Sequence, residues 1–194
     1  MLLRKTIPCS SLVGAMLFAG VAAAQSAQPR REPDVPFVPT TEAAVAAMLK
    51  LADVKTTDVV YDLGCGDGRI VIAAAKTYGA HAVGIDINPV RLAEANENLK
   101  KAGPDVAKLV RFEDNDLFQA DIHEATVVTL FLLSSVNLKL RPKLLADLKP
   151  GTRIVSNTFD MGDWKPEKEF IVGNPDEESY LSHKLFLWIV PARK

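Results

Sequence analysis

The stretch VVYDLGCGDGRIV, residues 59 to 71, decides the fold class of this chain. An apolar run ends in Asp62, and three alternating glycines follow it at Gly64, Gly66 and Gly68. Glycine permits positive φ angles and a close approach of the backbone to a ligand, and a helix that follows such a turn offers unpaired N–H groups. The stretch therefore predicts a buried strand, a ligand-binding turn and the start of a helix.

An acidic residue distinguishes this turn from one that binds a dinucleotide. The pyrophosphate-binding pattern is G-x-G-x-x-G, whereas the spacing here is G-x-G-x-G with Asp67 between the last two glycines. Asp67 stands at the predicted helix start, where its carboxylate occupies or repels the anion site. A ligand with a cationic end is favoured. S-adenosylmethionine is such a ligand, because it carries an ammonium and a sulfonium and no phosphate.

The rest of the chain alternates short apolar runs with helical patterns. Strands are predicted at 58–62, 81–86, 109–113, 126–132 and 153–158, and helices at 67–78, 89–101 and 136–147. Two further strand-like runs, KEFIVG and HKLFLWIVPA, have no long helix between them. The pattern predicts an α/β, Rossmann-like doubly wound sheet with helices on both faces: five parallel strands plus a C-terminal antiparallel hairpin, seven strands in all.

Three acids follow the first three predicted strands. Asp86 ends the second strand, where an acid can accept from both ribose hydroxyls. Asp116 follows the third strand and can accept from an adenine amino group, with Leu117 or Phe118 covering the ring. Singly, Asp62, Asp86 and Asp116 are equally compatible with a helix cap, a turn and a surface residue. Their joint placement at the carboxyl ends of successive strands predicts one nucleoside-binding crevice.

The stretches YDLGCGDGR, VGIDINP and EDNDLF resemble, in that order, the first three motifs of class I S-adenosylmethionine-dependent methyltransferases. The resemblance covers about residues 36 to 194 and implies S-adenosylmethionine as cofactor, with Asp62, Gly64 and Gly66 around its methionine portion. The full cofactor set that it implies is Phe37, Pro39, Asp62, Gly64, Gly66, Asp67, Asp86, Ile87, Asp116, Leu117 and Phe131.

Two more segments are similar to the small protein-lysine methyltransferases of archaea and mitochondria: VPFVPTTEAAVAAML before the first strand, and the stretch from TVVTLFLL to DMGDWKP. The similarity implies that residues 37–40 close over cofactor and acceptor. Thr40, Asp160 and Trp164 are the candidates for aligning the acceptor. Asp160, Asp163 and Trp164 follow the fifth predicted strand, where they fit either the wall of an acceptor cleft or an ordinary turn. The alternative for residues 37–39 is a linker that packs one aromatic ring on the sheet. Residues 129–132 lack the N/D-P-P-Y/F/W tetrad of enzymes that methylate adenine or glutamine nitrogen.

The predicted function is therefore methyl transfer from S-adenosylmethionine to nitrogen, with a lysine of a protein substrate as the acceptor. A small-molecule methyltransferase and a non-catalytic S-adenosylmethionine-binding module stay open as alternatives. Nucleic acid is disfavoured as a partner, because the net charge is −1 and no dense Lys/Arg block is present. No metal site is expected, since His81, His123 and His183 are scattered without ligand spacing. The oligomeric state is left open.

The N-terminus has the features of an export signal. Two basic residues precede an apolar run at 12–24 that ends in an A-x-A pattern. As a helix this run spans only about 20 Å, less than the roughly 30 Å hydrocarbon core, so no stable transmembrane span is expected after cleavage. The predicted organisation is a signal peptide or retained anchor at 1–24, a linker at 25–35 and a methyltransferase domain at 36–194. The protein is exported or periplasmic if the leader is cleaved, membrane-tethered if it is retained, and cytosolic if the start site is misassigned.

Overall fold

The computed structural model describes residues 31–173 and 183–193. The predicted signal peptide and linker residues 25–30 lie outside the described residues, as does the predicted hairpin connection at 174–182. The helices are α1 Glu42–Leu51, α2 Arg69–Tyr78, α3 Pro89–Ala102, α4 Pro104–Ala107 and α5 Ser134–Asp147. The strands are β1 Val59–Leu63, β2 His81–Asp86, β3 Val110–Asp114, β4 Val127–Leu130, β5 Arg153–Asn157, β6 Lys168–Val172 and β7 His183–Ile189.

The seven strands form one sheet in the order β3-β2-β1-β4-β5-β7-β6. Strands β1 to β5 are parallel, and β7 runs antiparallel to both of its neighbours. This confirms the predicted sheet with its C-terminal hairpin. The chain winds outward from β1 to β3, then returns to the other side of β1 at β4. The switch point between β1 and β4 opens a crevice at the carboxyl ends of the strands, where sheets of this kind bind ligands.

The helices cover both faces of the sheet, as predicted. Helices α1 and α2 contribute to one buried apolar cluster and α5 contributes to the other. All four residues of β4 are buried, because this strand lies between the two clusters. Thr41 caps α1 by accepting a hydrogen bond from Ala44 N, a contact that contributes about 1 kcal/mol to helix stability. Within the described parts of the chain, no helix combines the length and apolar character needed to span a membrane.

Two differences from the predicted boundaries fall at the crevice. Helix α2 begins at Arg69 rather than at residue 67, because Gly66 and Gly68 adopt positive φ angles of 53° and 78° and keep this stretch in the turn. Strand β4 ends at Leu130 rather than at residue 132, so the two residues that follow leave the sheet. The short helix α4 was not predicted. These shifts lengthen the loops from which the crevice is built.

Candidate cofactor and acceptor site

The glycine turn after β1 is built for close contact. Gly64 has a φ of +84° and donates its N–H to Ile85 O of β2 at 2.8 Å. A Cβ added at Gly66, whose φ is +53°, would lie 2.3 Å from Cε2 of Phe37. A Cβ at Gly64 would lie 3.0 Å from Cδ2 of Leu132. The turn therefore needs glycine for both its backbone angles and the side chains packed on it.

Asp86 ties the glycine turn to the end of β2. One carboxylate oxygen accepts a hydrogen bond from Gly66 N at 2.8 Å, and the other accepts from Asn88 N at 2.8 Å. A carboxylate has about four acceptor positions, so both oxygens keep capacity for a ligand hydroxyl. Asp86 thus has a structural role that the sequence did not indicate, and it also lines a cavity at the carboxyl ends of the strands.

Asp62 is the most deeply buried carboxyl group of the crevice, with 3% of its surface exposed. Burial raises its pKa to about 7, and the negative charges of Asp86 and Asp67 add to this effect. The hydroxyl of Thr129 donates to Asp62 at 2.7 Å and opposes the rise. Because a nearby cation would stabilise the ionised carboxylate, this position suits a ligand ammonium or sulfonium.

Asp67 is paired within the protein. Its carboxylate accepts from the backbone N of Arg69 at 3.3 Å and from the guanidinium Nε at 2.9 Å. Burial acts to raise the pKa of Asp67, but the bonds and charge of Arg69 outweigh it and the pKa is lowered. Arg69 Nη1 also donates to Thr40 O at 2.6 Å. The carboxylate therefore takes an N–H at the start of α2, the place where a phosphate would bind.

A cavity of about 440 Å³ extends along the carboxyl ends of β1, β2 and β3. It brings together seven residues of the predicted cofactor set: Phe37, Gly64, Asp86, Ile87, Asp116, Leu117 and Phe131. A much smaller pocket of about 20 Å³ adjoins it and is lined by the remaining predicted residues Pro39, Asp62 and Asp67, together with Thr40. Gly66 contacts this region through Phe37. We refer to the larger space as the cofactor cavity.

Two arginines that the sequence did not indicate reach the cofactor cavity. Arg31 Nη1 lies 3.2 Å from each oxygen of Asp116, and its guanidinium lies 4.9 Å from the ring centre of Phe118. The guanidinium of Arg91 lies 4.6 Å from the ring centre of Phe37. Residues 31–35, predicted as part of a linker, thus lie against the domain. The two residues of the Arg31–Asp116 pair are 85 positions apart, so no local sequence pattern predicts their contact.

A second cavity, of about 580 Å³, lies at the carboxyl ends of β4 and β5. It is lined by Val35, Pro36, Val38, Pro39, Thr41, Phe131, Leu133, Thr158, Phe159 and His183. Four of these residues, Val35, Pro36, Val38 and Phe131, also line the cofactor cavity. The two spaces therefore share a wall made of the segment before α1 and one aromatic ring. We call this space the second cavity.

Two predicted acceptor residues lie elsewhere. Asp160 is exposed, and its carboxylate accepts from Gly162 N at 3.1 Å. Trp164 packs on Trp188 of β7 with ring centres 6.1 Å apart, and its carbonyl accepts from Trp188 Nε1 at 2.8 Å. Neither residue is part of the wall of the cofactor cavity or the second cavity. Thr158 and Phe159, at the start of the same loop, line the second cavity, whereas Asp160 and Trp164 lie outside its wall.

Comparison with known proteins identifies relatives that are named as methyltransferases. A family model described as the ANTKMT methyltransferase domain matches residues 62–168. A protein-lysine N-methyltransferase of Saccharolobus islandicus is 45% identical over 163 residues, which cover 84% of this chain and 98% of that protein. An adenine nucleotide translocase lysine N-methyltransferase of Mus musculus is 34% identical over 132 residues, which cover 68% of this chain and 56% of that protein.

A solved structure shares both fold and sequence with the chain. It is described as an RNA methyltransferase from Salinibacter ruber in complex with S-adenosyl-L-homocysteine. The two are 52% identical with a TM-score of 0.73, and the match covers 81% of this chain and 96% of that one. The relatives thus agree on methyl transfer, the Salinibacter ruber structure contains S-adenosyl-L-homocysteine, and the names differ on the acceptor.

Proposed function

The chain belongs to the family of the ANTKMT methyltransferase domain and is an S-adenosylmethionine-dependent methyltransferase, and we propose that its acceptor is the side-chain amine of a protein lysine. The observation that carries the proposal is the second cavity, which is mostly apolar and shares a wall with the cofactor cavity. A lysine side chain has a long aliphatic stem and one terminal nitrogen, and a space of this character suits it. The sequence identity to a protein-lysine N-methyltransferase supports the same acceptor.

The crevice offers the hydrogen-bond acceptors and the negative charge that the cofactor needs. We propose that Asp86 accepts from the ribose hydroxyls, that Asp116 accepts from the adenine amino group, and that Asp62 faces the methionine ammonium. The Gly64–Gly66 turn lets the backbone approach the methionine portion, since these glycines carry no Cβ. S-adenosylmethionine would supply a methyl group bound to a sulfonium. As the lone pair of the lysine amine forms the N–C bond, the electron pair of the S–C bond would stay on sulfur.

The protein must deliver the lysine nitrogen without its extra proton. The ordinary pKa of a lysine amine is about 10.4, and transfer into an apolar space lowers it because the charged form loses hydration. The walls of the second cavity provide such a space through Val38, Leu133 and Phe159. Positioning of the amine then supplies much of the rate enhancement, because an in-line displacement depends on alignment.

RNA is the second candidate acceptor, favoured by the name of the Salinibacter ruber protein. The net charge of −1 argues against it, because RNA binding relies on a basic surface that neutralises phosphates. The absence of the N/D-P-P-Y/F/W tetrad after β4 argues against a base nitrogen as the acceptor.

Methyl-labelled S-adenosylmethionine distinguishes these acceptors. The purified protein is incubated with the label and a cell extract, and the extract is divided into protein, RNA and small-molecule fractions. We expect label in protein that protease releases and nuclease does not, and peptide mass spectrometry should place the methyl on lysine nitrogen. The matched pair is Asp86→Asn, in the cofactor cavity, and Asp121→Asn, an exposed aspartate outside it. Only Asp86→Asn should reduce labelling.

Other distributions of label would refute the proposal. Label in the RNA fraction that nuclease removes would make the protein an RNA methyltransferase. Label confined to the small-molecule fraction would favour a small-molecule acceptor. Binding of adenosylhomocysteine without labelling of any fraction would favour a non-catalytic module.

We also propose that residues 1–24 act as an export signal that is cleaved after Ala24, which makes the protein exported or periplasmic. The cofactor is made in the cytosol, so an exported enzyme requires a supply of it outside. Mass spectrometry of the native N-terminus, combined with cell fractionation, tests the proposal. A mature chain starting at Gln25 outside the cytosol is the expected result, and an intact leader on a cytosolic protein would contradict it.

A further inference from the structure

His183 is the first residue of β7, and one nitrogen of its ring is buried. The residue is 5% exposed, and its Nε2 has no hydrogen-bond partner among the described residues. A buried polar atom left unpaired costs about 1–3 kcal/mol, so such atoms in a folded protein need an explanation. His183 lines the second cavity. Nε2 itself is enclosed in the free protein, so a ligand that enters that cavity provides the missing partner by shifting the surrounding side chains.

The neighbour of the other ring nitrogen sets the proton position. His183 Nδ1 lies 3.0 Å from Oδ1 of Asn157, the last residue of β5. An amide oxygen only accepts, so Nδ1 carries the proton and Nε2 keeps its lone pair. The Asn157 oxygen also accepts from the Thr158 hydroxyl at 3.0 Å, and Nδ2 of the same amide is buried without a hydrogen-bond partner among the described residues. With the Asn157 amide in this orientation, Nε2 of His183 is an acceptor.

The electrostatic surroundings keep the imidazole neutral. Burial lowers the pKa of His183 below its ordinary value of 6.5. On β6 the residue directly opposite is the apolar Val172, and on β5 the contact is the neutral Asn157. The next residue, Lys184, is paired with Glu169 at 2.8 Å. At neutral pH, His183 thus presents a lone pair and no charge.

The cavity wall links His183 to the cofactor cavity. The ring of Phe131 stands edge-on to His183 with centres 6.2 Å apart, and it stacks on Phe159 at 6.1 Å. Phe131 also lines the cofactor cavity. Thr158, in the same wall, adopts a φ of 67°, a strained angle for a β-branched residue that is often retained at functional sites.

We propose that the second cavity is the lysine channel, and that Nε2 of His183 accepts a hydrogen bond from the N–H of the incoming lysine nitrogen. The proposal rests on the proposed function and names the group that holds the acceptor. The apolar and aromatic walls pack against the aliphatic stem, and His183 binds the nitrogen at the end of it. Asn157 is a positioning residue, because it acts on the substrate through the imidazole of His183.

The first experiment uses a matched pair of substitutions. His183→Phe keeps a large buried ring without an acceptor, and His183→Gln retains an amide oxygen that can accept. We expect His183→Phe to raise KM for a lysine peptide at least tenfold, the effect of one lost hydrogen bond to a polar nitrogen, and His183→Gln to restore part of the affinity. Binding of adenosylhomocysteine, measured by calorimetry, should be unchanged in both variants and reports that they are folded.

The second experiment observes the wild-type imidazole directly. Long-range ¹H–¹⁵N NMR spectra report the tautomer of each histidine, and comparison with His183→Gln assigns the His183 signals. We expect the Nδ1–H tautomer in the free protein and a shift of Nε2 on addition of N-acetyl-lysine methylamide. Methylation falls with pH in both proteins as the lysine amine is protonated. Below the pKa of His183 the wild type should lose additional activity, because the imidazolium has no lone pair, and His183→Gln should lack this additional loss.

The outcomes separate this inference from the proposed function. Lysine methylation by the wild type, with an unchanged KM in His183→Phe or with an Nε2–H tautomer, would overturn the role of His183 and leave the acceptor class intact. No shift of Nε2 with the lysine probe, together with label in RNA only, would overturn both.

Discussion

The substitution Asp62→Asn tests whether the crevice destabilises a buried negative charge. Burial first, and then the charges of Asp86 and Asp67, raise the pKa of Asp62 from 3.8 to about 7. Because the pKa is higher in the folded state than in the unfolded chain, the contribution of Asp62 to stability is fully present below pH 3.8. It is lost as the pH rises through about 7. Asparagine cannot ionise, so Asp62→Asn should remove this dependence.

The magnitude follows from the two pKa values. Between about pH 5 and pH 8 the unfolded chain is ionised at Asp62 throughout, while the folded protein passes from protonated to mostly ionised. The linkage relation then gives a loss of roughly 2 to 3 kcal/mol in the free energy of unfolding of the wild type over this range. Contributions from the other titrating groups are common to both proteins and cancel in the difference.

Urea denaturation of the ligand-free proteins at pH 5 and pH 8 measures this difference. Asp58→Asn is the matched control, because Asp58 is also buried, at 5% exposure, and immediately precedes β1. Burial acts to raise the pKa of Asp58, but hydrogen bonds from Thr126, Lys55 N and Arg153 outweigh it and the pKa is lowered. Asp58 is then ionised from pH 5 to 8 in the folded protein and in the unfolded chain alike. Asp58→Asn should lower stability by a similar amount at both pH values.

The reasoning fails if Asp62→Asn and the wild type lose stability in parallel between pH 5 and 8. That result would mean that Asp62 is solvated or paired enough to ionise at its ordinary pKa. The electrostatic preference of the crevice for a cationic ligand would then have no support from this residue.

Three further substitutions address the cofactor cavity, each read by calorimetric binding of adenosylhomocysteine. Gly66→Ala should weaken binding at least tenfold, because the new Cβ meets the aromatic ring 2.3 Å away. Gly151→Ala, at a φ of +88° with nothing within 4 Å, is its control and should cost only about 1 kcal/mol of stability; equal affinities would contradict the packing argument. Asp86→Asn should weaken binding by about 2 kcal/mol, roughly 30-fold, through lost charge-assisted hydrogen bonds, and wild-type affinity would remove the ribose assignment. Arg31→Ala should tighten binding by up to about fivefold, because a half-exposed cation no longer competes for Asp116; weaker binding would instead make Arg31 part of the ligand site.

The sequence alone determined the sheet and the cofactor side of the crevice. Apolar runs of strand length, alternating with helical patterns, are local features, and they predicted the five parallel strands and the final hairpin. Asp86 and Asp116 were found because parallel topology brings the carboxyl ends of successive strands together. The prediction needed only the order of the elements along the chain.

Only the tertiary structure decided which residues face the second cavity. His183 and Asn157 meet because β7 inserts antiparallel beside β5, a pairing between residues 26 positions apart that no periodicity encodes. Trp164, a candidate for aligning the acceptor, packs on Trp188 of β7, a contact between residues 24 positions apart. Arg31 and Asp116 likewise meet through a charge contact between segments that are far apart in the sequence. Contacts between distant segments depend on shape and charge in three dimensions, and sequence spacing carries no record of them.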